Sequence, residues 1–458
     1  MYTTLESRPS ANSMLFGSSE LPAEHMAFLS LRLGLLGLIQ GGAALQSSYQ
    51  NLSEALTECR AGGQGLACRL GCTEEEPGLA ESFEPWWDHQ IPWQSLFTVC
   101  EMVAPEIDLA FIGVVREGQV LYHCCSSECD SPPLLKEPPV TDVEALLSLV
   151  AEVAEELPEM VFLFNTGDQP FVDKVYWSPI PQFHWVRSAG HWTIPLPNPY
   201  HLRAHAQHLL GDFPQHRDHH MPWAKKIPKI YWRGQLSAPD HFLKEDMGTL
   251  PRVRLMKLAK DFPDLFDVGI TSVDREMYRT IGKAGAKQLV KQLGGEARYE
   301  KLRKIMPRYR YLINVAAVLS AWRLAEMLAT GSLILMQDSA DREVILEWLT
   351  PWVHYVPISQ GLSDLVPKVK WLEDHQEEAE AIARRGFEHF SQRVRRHDTL
   401  CYLWQAFQAV ANSQTRATSS ELLPRTAGWK EVKPQLVMKG VDSYSHLKDL
   451  VASNHSEL

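Results

Sequence analysis

The segment Tyr311-Leu-Ile-Asn-Val-Ala-Ala-Val-Leu-Ser-Ala-Trp-Arg-Leu-Ala-Glu-Met-Leu-Ala-Thr-Gly-Ser-Leu-Ile-Leu-Met336 holds one complete unit of the predicted fold. It opens with a short apolar strand, Tyr311 to Asn314, which a loop follows. Apolar residues from Val318 to Thr330 recur at helical spacing, and Gly331 to Met336 is again an apolar run of strand length. A strand, a helix and a second strand in this order predict two neighbouring parallel strands.

The same alternation of strands and helices continues on both sides of this segment, and residues 178–228 separate the two regions as a long junction rich in Pro and His. We therefore predict an α/β protein in which two Rossmann-like domains face each other and C-terminal helices close the fold. The predicted strands are Ile107 to Val115, Met160 to Asn165 and Lys229 to Gly234. The predicted helices are Thr141 to Glu156, Arg252 to Asp261, Leu362 to Leu372, His375 to Ser391 and Leu400 to Ala411.

A chain of 458 residues exceeds what one hydrophobic core usually serves. We predict a leader over 1–45, an N-terminal domain with a cysteine-rich lead over 46–215, a C-terminal domain with the closing helices over 216–411 and a flexible tail over 412–458. Read from Met26, the leader resembles a signal peptide with a cleavage site after Ala44, and a short signal anchor is the alternative. No stable membrane span is expected unless the leader is that anchor.

Acidic residues outnumber basic ones by 56 to 45, which gives a formal net charge of −11. Nucleic acid would be repelled overall and is not expected as a partner. A local cluster of arginines in such a chain remains suited to one small phosphorylated ligand.

Six of the eight cysteines stand in two short clusters, in loops that also contain Gly, Ser and Glu. Such spacing favours small disulfide loops in an oxidising compartment, and scattered reduced thiols are the alternative. The C-terminal His455-Ser456-Glu457-Leu458 differs at one position from HDEL, a retrieval signal of the endoplasmic reticulum.

Asp168 follows the predicted strand Met160 to Asn165, at the edge where open α/β sheets bind ligands. A carboxylate there could deprotonate an attacking hydroxyl as a general base. The alternative is that Asp168 merely caps the tight turn with Gly167.

Three arginines could bind a diphosphate in the second half of the chain. Arg323 lies in the helix predicted after the strand Tyr311 to Asn314, where backbone amides and a guanidinium would act together. Arg233 and Arg252 could add positive charge, although each arginine alone is more often solvated or ion-paired.

A group of histidines could in principle bind a metal ion, but we do not expect a metal site. His201, His205 and His208 share one helical face, and His216, His219 and His220 follow. The sequence contains no HExxH motif and no regular carboxylate partner, so histidines that pack in loops or face solvent are the preferred interpretation.

An ordered series of motifs spans most of the second half of the chain. It consists of Tyr231-Trp-Arg-Gly234, Pro251-Arg252, Tyr309-Arg-Tyr-Leu-Ile-Asn314, Ser320-Ala-Trp-Arg323, Gly331-Ser332, Pro351-Trp-Val-His-Tyr-Val-Pro357, Leu362-Ser-Asp-Leu365 and Asp398 to Tyr402. With this series the chain resembles the protein O-glucosyltransferase family, also known through Rumi and the fungal capsule-associated xylosyltransferases.

The resemblance implies a GT-B fold and inverting transfer of glucose or xylose from a UDP-sugar to a hydroxyl of a protein or glycan acceptor. The implied transfer requires no cofactor and no metal, and the UDP-sugar is the co-substrate. The domain over 46–215 would lie on the acceptor side, and the domain over 216–411 would bind the nucleotide-sugar. Asp168 would be the catalytic base, and Arg252 and Arg323 would bind the diphosphate. The donor-binding positions would be Arg233, Gln235, Arg252, Val318, Leu319, Ser320, Ala321, Trp322 and Arg323.

The resemblance also implies disulfides between Cys68 and Cys401 and between Cys59 and Cys72, and a location in the endoplasmic reticulum lumen or Golgi. Gln235 and Ala317 stand where members often have Ser and Gly. A non-catalytic sugar- or protein-binding relative that keeps the fold is therefore the alternative function. A metallohydrolase that uses the histidines is a third.

Overall fold

A computed structural model describes residues 48–86, 90–103, 110–126, 138–167, 169–175, 177, 179–209, 221–237, 244–298, 302–415 and 429–432. The strands in these ranges are β1 Ala110–Arg116, β2 Gln119–Cys124, β3 Met160–Asn165, β4 Gln182–His184, β5 Thr193–Pro195, β6 Ile227–Leu236, β7 Phe266–Val273, β8 Tyr309–Asn314, β9 Leu333–Gln337, β10 Val356–Ile358 and β11 Lys430–Val432.

The α-helices of the same ranges are α1 Ser48–Arg60, α2 Leu66–Arg69, α3 Leu79–Phe83, α4 Trp93–Val103, α5 Pro138–Val153, α6 Pro199–Leu209, α7 Pro251–Asp261, α8 Arg275–Gln292, α9 Leu302–Ile305, α10 Leu324–Leu328, α11 Val344–Glu347, α12 Leu365–Asp374, α13 Gln376–Arg393 and α14 Arg396–Asn412. No helix among the described residues is long and apolar enough to cross a membrane.

The first sheet has the strand order β11-β2-β1-β3-β4-β5. β3, β4 and β5 are parallel, as predicted for this region, but β1 runs antiparallel to both β2 and β3. A two-residue turn joins β1 to β2, and both of its residues, Glu117 and Gly118, have positive φ. This is the turn geometry that suits the twist of a β-hairpin. The sheet is therefore mixed, which corrects the prediction of a purely parallel sheet.

The second sheet has the order β10-β9-β8-β6-β7, and all its strands are parallel. Alternate residues of its strands enter two different cores. Tyr231, Leu312 and Ile334 belong to the core that also fills the first sheet. Ile230, Ile313 and Leu335 belong to a separate core beneath α7, α8, α12 and α13. Burial of both faces is typical of parallel sheets and confirms the α/β fold class.

The C-terminal helix α14 returns to the first sheet. The ring of Phe407 stacks on Phe183 at 4.5 Å between ring centroids and meets Phe162 edge-on at 5.1 Å. All three rings are buried, so replacement of Phe407 by Ala would cost about 3–5 kcal/mol. α14 thereby ties the second half of the chain to the first sheet.

The short strand β11 pairs antiparallel with β2 at the edge of the first sheet. It lies within the segment predicted as a flexible tail. Its three residues are too few for the alternation of apolar and polar residues by which a strand is predicted from sequence.

Three disulfides join described cysteines: Cys59–Cys68, Cys72–Cys401 and Cys100–Cys125. The implied pairings Cys68–Cys401 and Cys59–Cys72 are therefore wrong. Cys59 lies in the last turn of α1 and Cys68 lies in α2, and the turn between these helices brings the two Cα atoms to 4.7 Å. Cys72 follows α2 and meets Cys401 of α14, with 5.3 Å between Cα atoms. This second disulfide closes a separation of 329 residues.

Candidate active site

The carboxyl edge of the second sheet brings together the last residues of β6 and the segment that follows β8, because these neighbouring strands are parallel. Arg252, near the start of α7, is 4% exposed and bridges both segments. Its Nη1 donates to the carbonyl oxygen of Gln235 at 2.6 Å, and its Nε donates to that of Ala316 at 3.1 Å. Its guanidinium therefore holds the two segments in register at this edge.

Residues 315–323 form a loop, whereas the sequence predicts a helix from Val318. The helix α10 begins only at Leu324, and Arg323 occupies its N-cap position. Side chains hold the loop in its non-helical path. The side-chain amide of Asn314 donates to the carbonyl of Ala321 at 3.1 Å, and the backbone amide of Ala316 donates to Oε1 of Gln337 at 2.9 Å. The helix whose backbone amides were expected to bind the diphosphate thus has only five residues.

Arg323 reaches back over the end of β6, where its Nη1 donates to the carbonyl oxygen of Arg233 at 2.5 Å. The side chains of most predicted donor-binding positions in the loop are partly exposed, namely Val318, Leu319, Ser320, Trp322 and Arg323; Ala321 is buried. The exposed side chain of Gln235 lies at the same edge. The fold therefore brings these predicted positions together around one loop.

Arg233 differs from the other two arginines. Its Nη2 donates to Oδ1 of Asp267 on β7 at 2.6 Å, and its Nη1 donates to the Asp267 carbonyl at 2.9 Å. Burial acts to raise the pKa of Asp267, but hydrogen bonds from Tyr309 and Arg233 outweigh it and hold that pKa below its ordinary value. The guanidinium of Arg233 is thus committed to this ion pair, and its carbonyl supports Arg323.

A buried carboxyl group connects the loop to the first half of the chain. Glu343, 2% exposed, accepts a hydrogen bond from the hydroxyl of Ser320 and another from Nδ2 of Asn198, the latter at 2.6 Å. Asn198 also caps α6, because its Oδ1 accepts from the backbone amides of Tyr200 and His201 at 3.0 Å. Burial raises the pKa of Glu343 to about 7, although both hydrogen bonds lower it.

On the first sheet, β3 leads into the turn at Thr166 and Gly167, and the next residue, Asp168, lies outside the described residues. Side chains fix the backbone of this turn. Oδ1 of Asn165 accepts from the amide of Gly167 at 2.7 Å, and Nε1 of Trp185 donates to the Thr166 carbonyl at 3.2 Å. The indole of Trp185 also meets Trp322 edge-on at 6.3 Å between ring centroids. The turn before Asp168 is thereby linked to the donor-side loop.

His184, just before Trp185, is fully buried and holds the carbonyl of Gly167. The backbone amide of Val186 donates to Nδ1 of this histidine at 3.1 Å, so Nε2 carries the proton and donates to the Gly167 oxygen at 3.0 Å. Burial lowers the pKa of His184 to about 4, which keeps the ring neutral near pH 7.

The histidines considered as metal ligands contact protein groups where the structure describes them. Nε2 of His201 lies 3.3 Å from the hydroxyl of Thr399, and Nδ1 of His205 lies 3.2 Å from the Val394 carbonyl. Both rings are buried. In the described ranges no group of three metal-binding side chains is close enough to hold an ion, and His216, His219 and His220 lie outside those ranges.

Sequence reasoning missed Asn198, Glu343, His184 and Trp185. Asn198 had a usable signal, since an Asn directly before a Pro is a typical start of a helix. The other three show no local pattern, because their partners are distant along the chain.

The sequence family described as Glycosyl transferase family 90 matches residues 139–455. This range contains both the turn before Asp168 and the arginine-rich edge. The chain belongs to glycosyl transferase family 90. The match confirms the resemblance carried by the motifs of the second half.

Curated relatives in this family are protein O-glucosyltransferases. Protein O-glucosyltransferase 3 of Homo sapiens is 31% identical over 372 residues, which cover 78% of this chain and 66% of the relative. Protein O-glucosyltransferase 2 of Danio rerio is 31% identical over 280 residues, which cover 59% of this chain and 50% of the relative. The chain thus spans between half and two thirds of the length of these relatives.

Two solved structures of glycosyltransferase type also align with parts of the chain. The C-terminal domain of a glycosyl transferase group 1 protein (LpcC) from Francisella tularensis is 14% identical, with a TM-score of 0.27 over 38% of this chain and 90% of that chain. A UDP-forming α,α-trehalose-phosphate synthase from Burkholderia vietnamiensis is 11% identical, with a TM-score of 0.28 over 46% of this chain and 49% of that chain.

Proposed function

We propose that this family 90 protein is an inverting glycosyltransferase that moves glucose or xylose from a UDP-sugar to a hydroxyl group of a protein or glycan acceptor. The observation that carries the proposal is the meeting of Arg252 and Arg323 around the loop 315–323, at the carboxyl edge of a parallel sheet. The names of the curated relatives favour glucose as the sugar and a protein as the acceptor.

In the proposed reaction Asp168 takes the proton of the acceptor hydroxyl as its oxygen attacks the anomeric carbon. The bond from that carbon to the diphosphate oxygen breaks on the opposite face, so the configuration inverts. Negative charge then grows on the leaving UDP, and the guanidinium of Arg323 lies where charge-assisted hydrogen bonds could stabilise it. Partly exposed Arg323 is the direct diphosphate ligand in this scheme, and buried Arg252 orients the loop.

We propose that transfer needs no metal ion, because fixed guanidinium groups can neutralise a leaving diphosphate as a cation would. The setting proposed is the lumen of the endoplasmic reticulum or the Golgi. The three disulfides among described residues support an oxidising compartment.

The deciding experiment measures UDP release from a panel of UDP-sugars, with and without a chelator, for the wild-type chain and for Asp168→Asn. We expect release from UDP-glucose or UDP-xylose, and a drop of about 10³-fold or more in Asp168→Asn while UDP binding persists. Asp173→Asn, farther along the same segment, is the matched control and should keep its activity. UDP binding without release from any donor would instead favour the non-catalytic alternative.

A further inference from the structure

The helix α8, Arg275–Gln292, has a basic residue at every fourth position: Arg275, Arg279, Lys283, Lys287 and Lys291. All five are exposed. Gly282 has a φ of 70° and divides α8 into two pieces. In the second piece the three lysines follow one another at a spacing of four residues, so they share one flank of the helix about 6 Å apart along its axis.

Lys260 of α7 extends this flank. Its Nζ donates to the carbonyl of Gln292 at 2.9 Å, which places a fourth ammonium group at the end of the row. We call the four lysines Lys260, Lys283, Lys287 and Lys291 the basic flank. The neighbouring side of the helix is buried at Ala286 and Val290, whereas the lysines of the flank are exposed.

This arrangement is locally unfavourable for the isolated helix. Like charges four residues apart destabilise a helix, and Arg275 opposes the helix dipole in the first turn. Arg279 has a partner, since its Nη1 lies 3.1 Å from Oε2 of Glu276. Within the described ranges, no ion pair is formed by the three lysines of the second piece. A locally unfavourable charge pattern on a surface is expected where a partner of opposite charge binds.

The helix begins beside the candidate active site. The backbone amide of Asp274, which caps α8, donates at 3.0 Å to the carbonyl of Leu236 at the end of β6. The next residue back along β6, Gln235, is the one held by Arg252. Lys283 follows Arg275 by eight residues, or about 12 Å along the helix axis, so a ligand on the basic flank would bind at a distance from the edge where the donor is proposed to bind.

We infer that the basic flank docks an acidic segment, rich in Asp and Glu, of the protein acceptor; this inference rests on the proposed function. The whole chain carries a formal net charge of −11, so an acidic partner is repelled elsewhere and directed to this surface. Lysines supply mobile point charges that suit carboxylates arranged along a peptide.

The test uses a fluorescently labelled poly-Glu peptide and the full chain, and it follows binding by anisotropy without a sugar donor. The variant carries Lys283→Glu, Lys287→Glu and Lys291→Glu. At low salt we expect it to bind the peptide about tenfold more weakly than the wild-type chain. At about 1 M salt the difference should vanish, because the Debye length falls to about 3 Å.

A control variant with the same change in net charge carries Lys225→Glu, Lys370→Glu and Arg384→Glu at exposed positions of other elements. Peptide binding should weaken only in the α8 variant. Equal losses in both variants, or no binding to the wild-type chain, would overturn the inference. Binding of heparin fragments without binding of the peptide would overturn it in favour of a sulfated glycan. The assay needs no turnover, so its result is separate from the test of Asp168.

Discussion

Replacement of Glu343 by Gln tests the buried link between the two halves of the chain. The carboxyl group of Glu343 accepts from Ser320 and Asn198, and it is 2% exposed. A Gln side chain has the same shape, accepts from Asn198 through its oxygen, and donates to the Ser320 oxygen through its amide. The substitution therefore keeps both contacts and removes only the ionisable proton.

The magnitude follows from the pKa of Glu343, which burial raises from 4.5 to about 7. Between these two values the folded chain holds a proton that the unfolded chain has released, so the free energy of unfolding falls as pH rises. The stability present below pH 4.5 is lost as pH passes through 7, and the loss amounts to roughly 3 kcal/mol. Glu343→Gln has no such loss.

The assay is thermal unfolding of both proteins between pH 4.5 and 8. The gap in Tm between Glu343→Gln and wild type should widen across this range by about 3 °C in favour of the variant. Glu76, whose pKa burial also raises to about 7, contributes equally to both proteins and cancels. Glu388→Gln, at an exposed side chain, should show a constant gap. A constant gap for Glu343→Gln as well would refute the reasoning, because the group would then be ionised in the fold throughout.

Three further outcomes are expected. Arg323→Met should weaken UDP binding about 10- to 100-fold by calorimetry, because one charge-assisted contact to the diphosphate is lost. The double substitution Cys72→Ser and Cys401→Ser should lower the free energy of unfolding by about 5 kcal/mol, since the disulfide closes a separation of 329 residues. His184→Leu should lower kcat about tenfold or more with little change in donor KM, because the carbonyl of Gly167 loses its donor.

Each of these outcomes has a matched control. Arg384→Met removes an exposed arginine and should leave UDP affinity unchanged. Replacement of Cys59 and Cys68 removes a disulfide that spans only 9 residues, so its cost should be about half as large. His184→Gln keeps a donor near the Gly167 carbonyl and should restore part of kcat; equal losses in the Leu and Gln variants would argue against the positioning role.

The sequence pattern predicted three strands of the second sheet, β6, β8 and β9, and missed β7 and β10, which stand at its two edges. β8 and β9 are buried along almost their whole length and read as apolar runs, whereas most residues of β7 are partly or fully exposed. In the first sheet β3 has the predicted bounds, and in the second sheet β8 matches the prediction over its last four residues. The antiparallel hairpin of β1 and β2 was not predicted. Its turn needs a positive φ at Glu117, and glutamate is not a residue type from which a positive φ is expected.

For the candidate site, motifs located the arginines but not what each arginine does. Whether a guanidinium faces a ligand or an internal acid depends on the neighbouring strand, and Asp267 of β7 decides it for Arg233. The helix predicted from Val318 failed for a similar reason, since Asn314 and Gln337 bind the backbone of that loop from outside the segment.

Local pattern was enough to establish the α/β class, the family and the edge of the sheet where the donor is proposed to bind, because periodicity and motif order are properties of neighbouring residues. Only the three-dimensional fold showed the disulfide partners, the antiparallel strands of the first sheet and the link from Ser320 through Glu343 to Asn198. Each of these features joins residues that are far apart in the chain. The distance between such residues is set by the packing of the core and not by the neighbouring sequence.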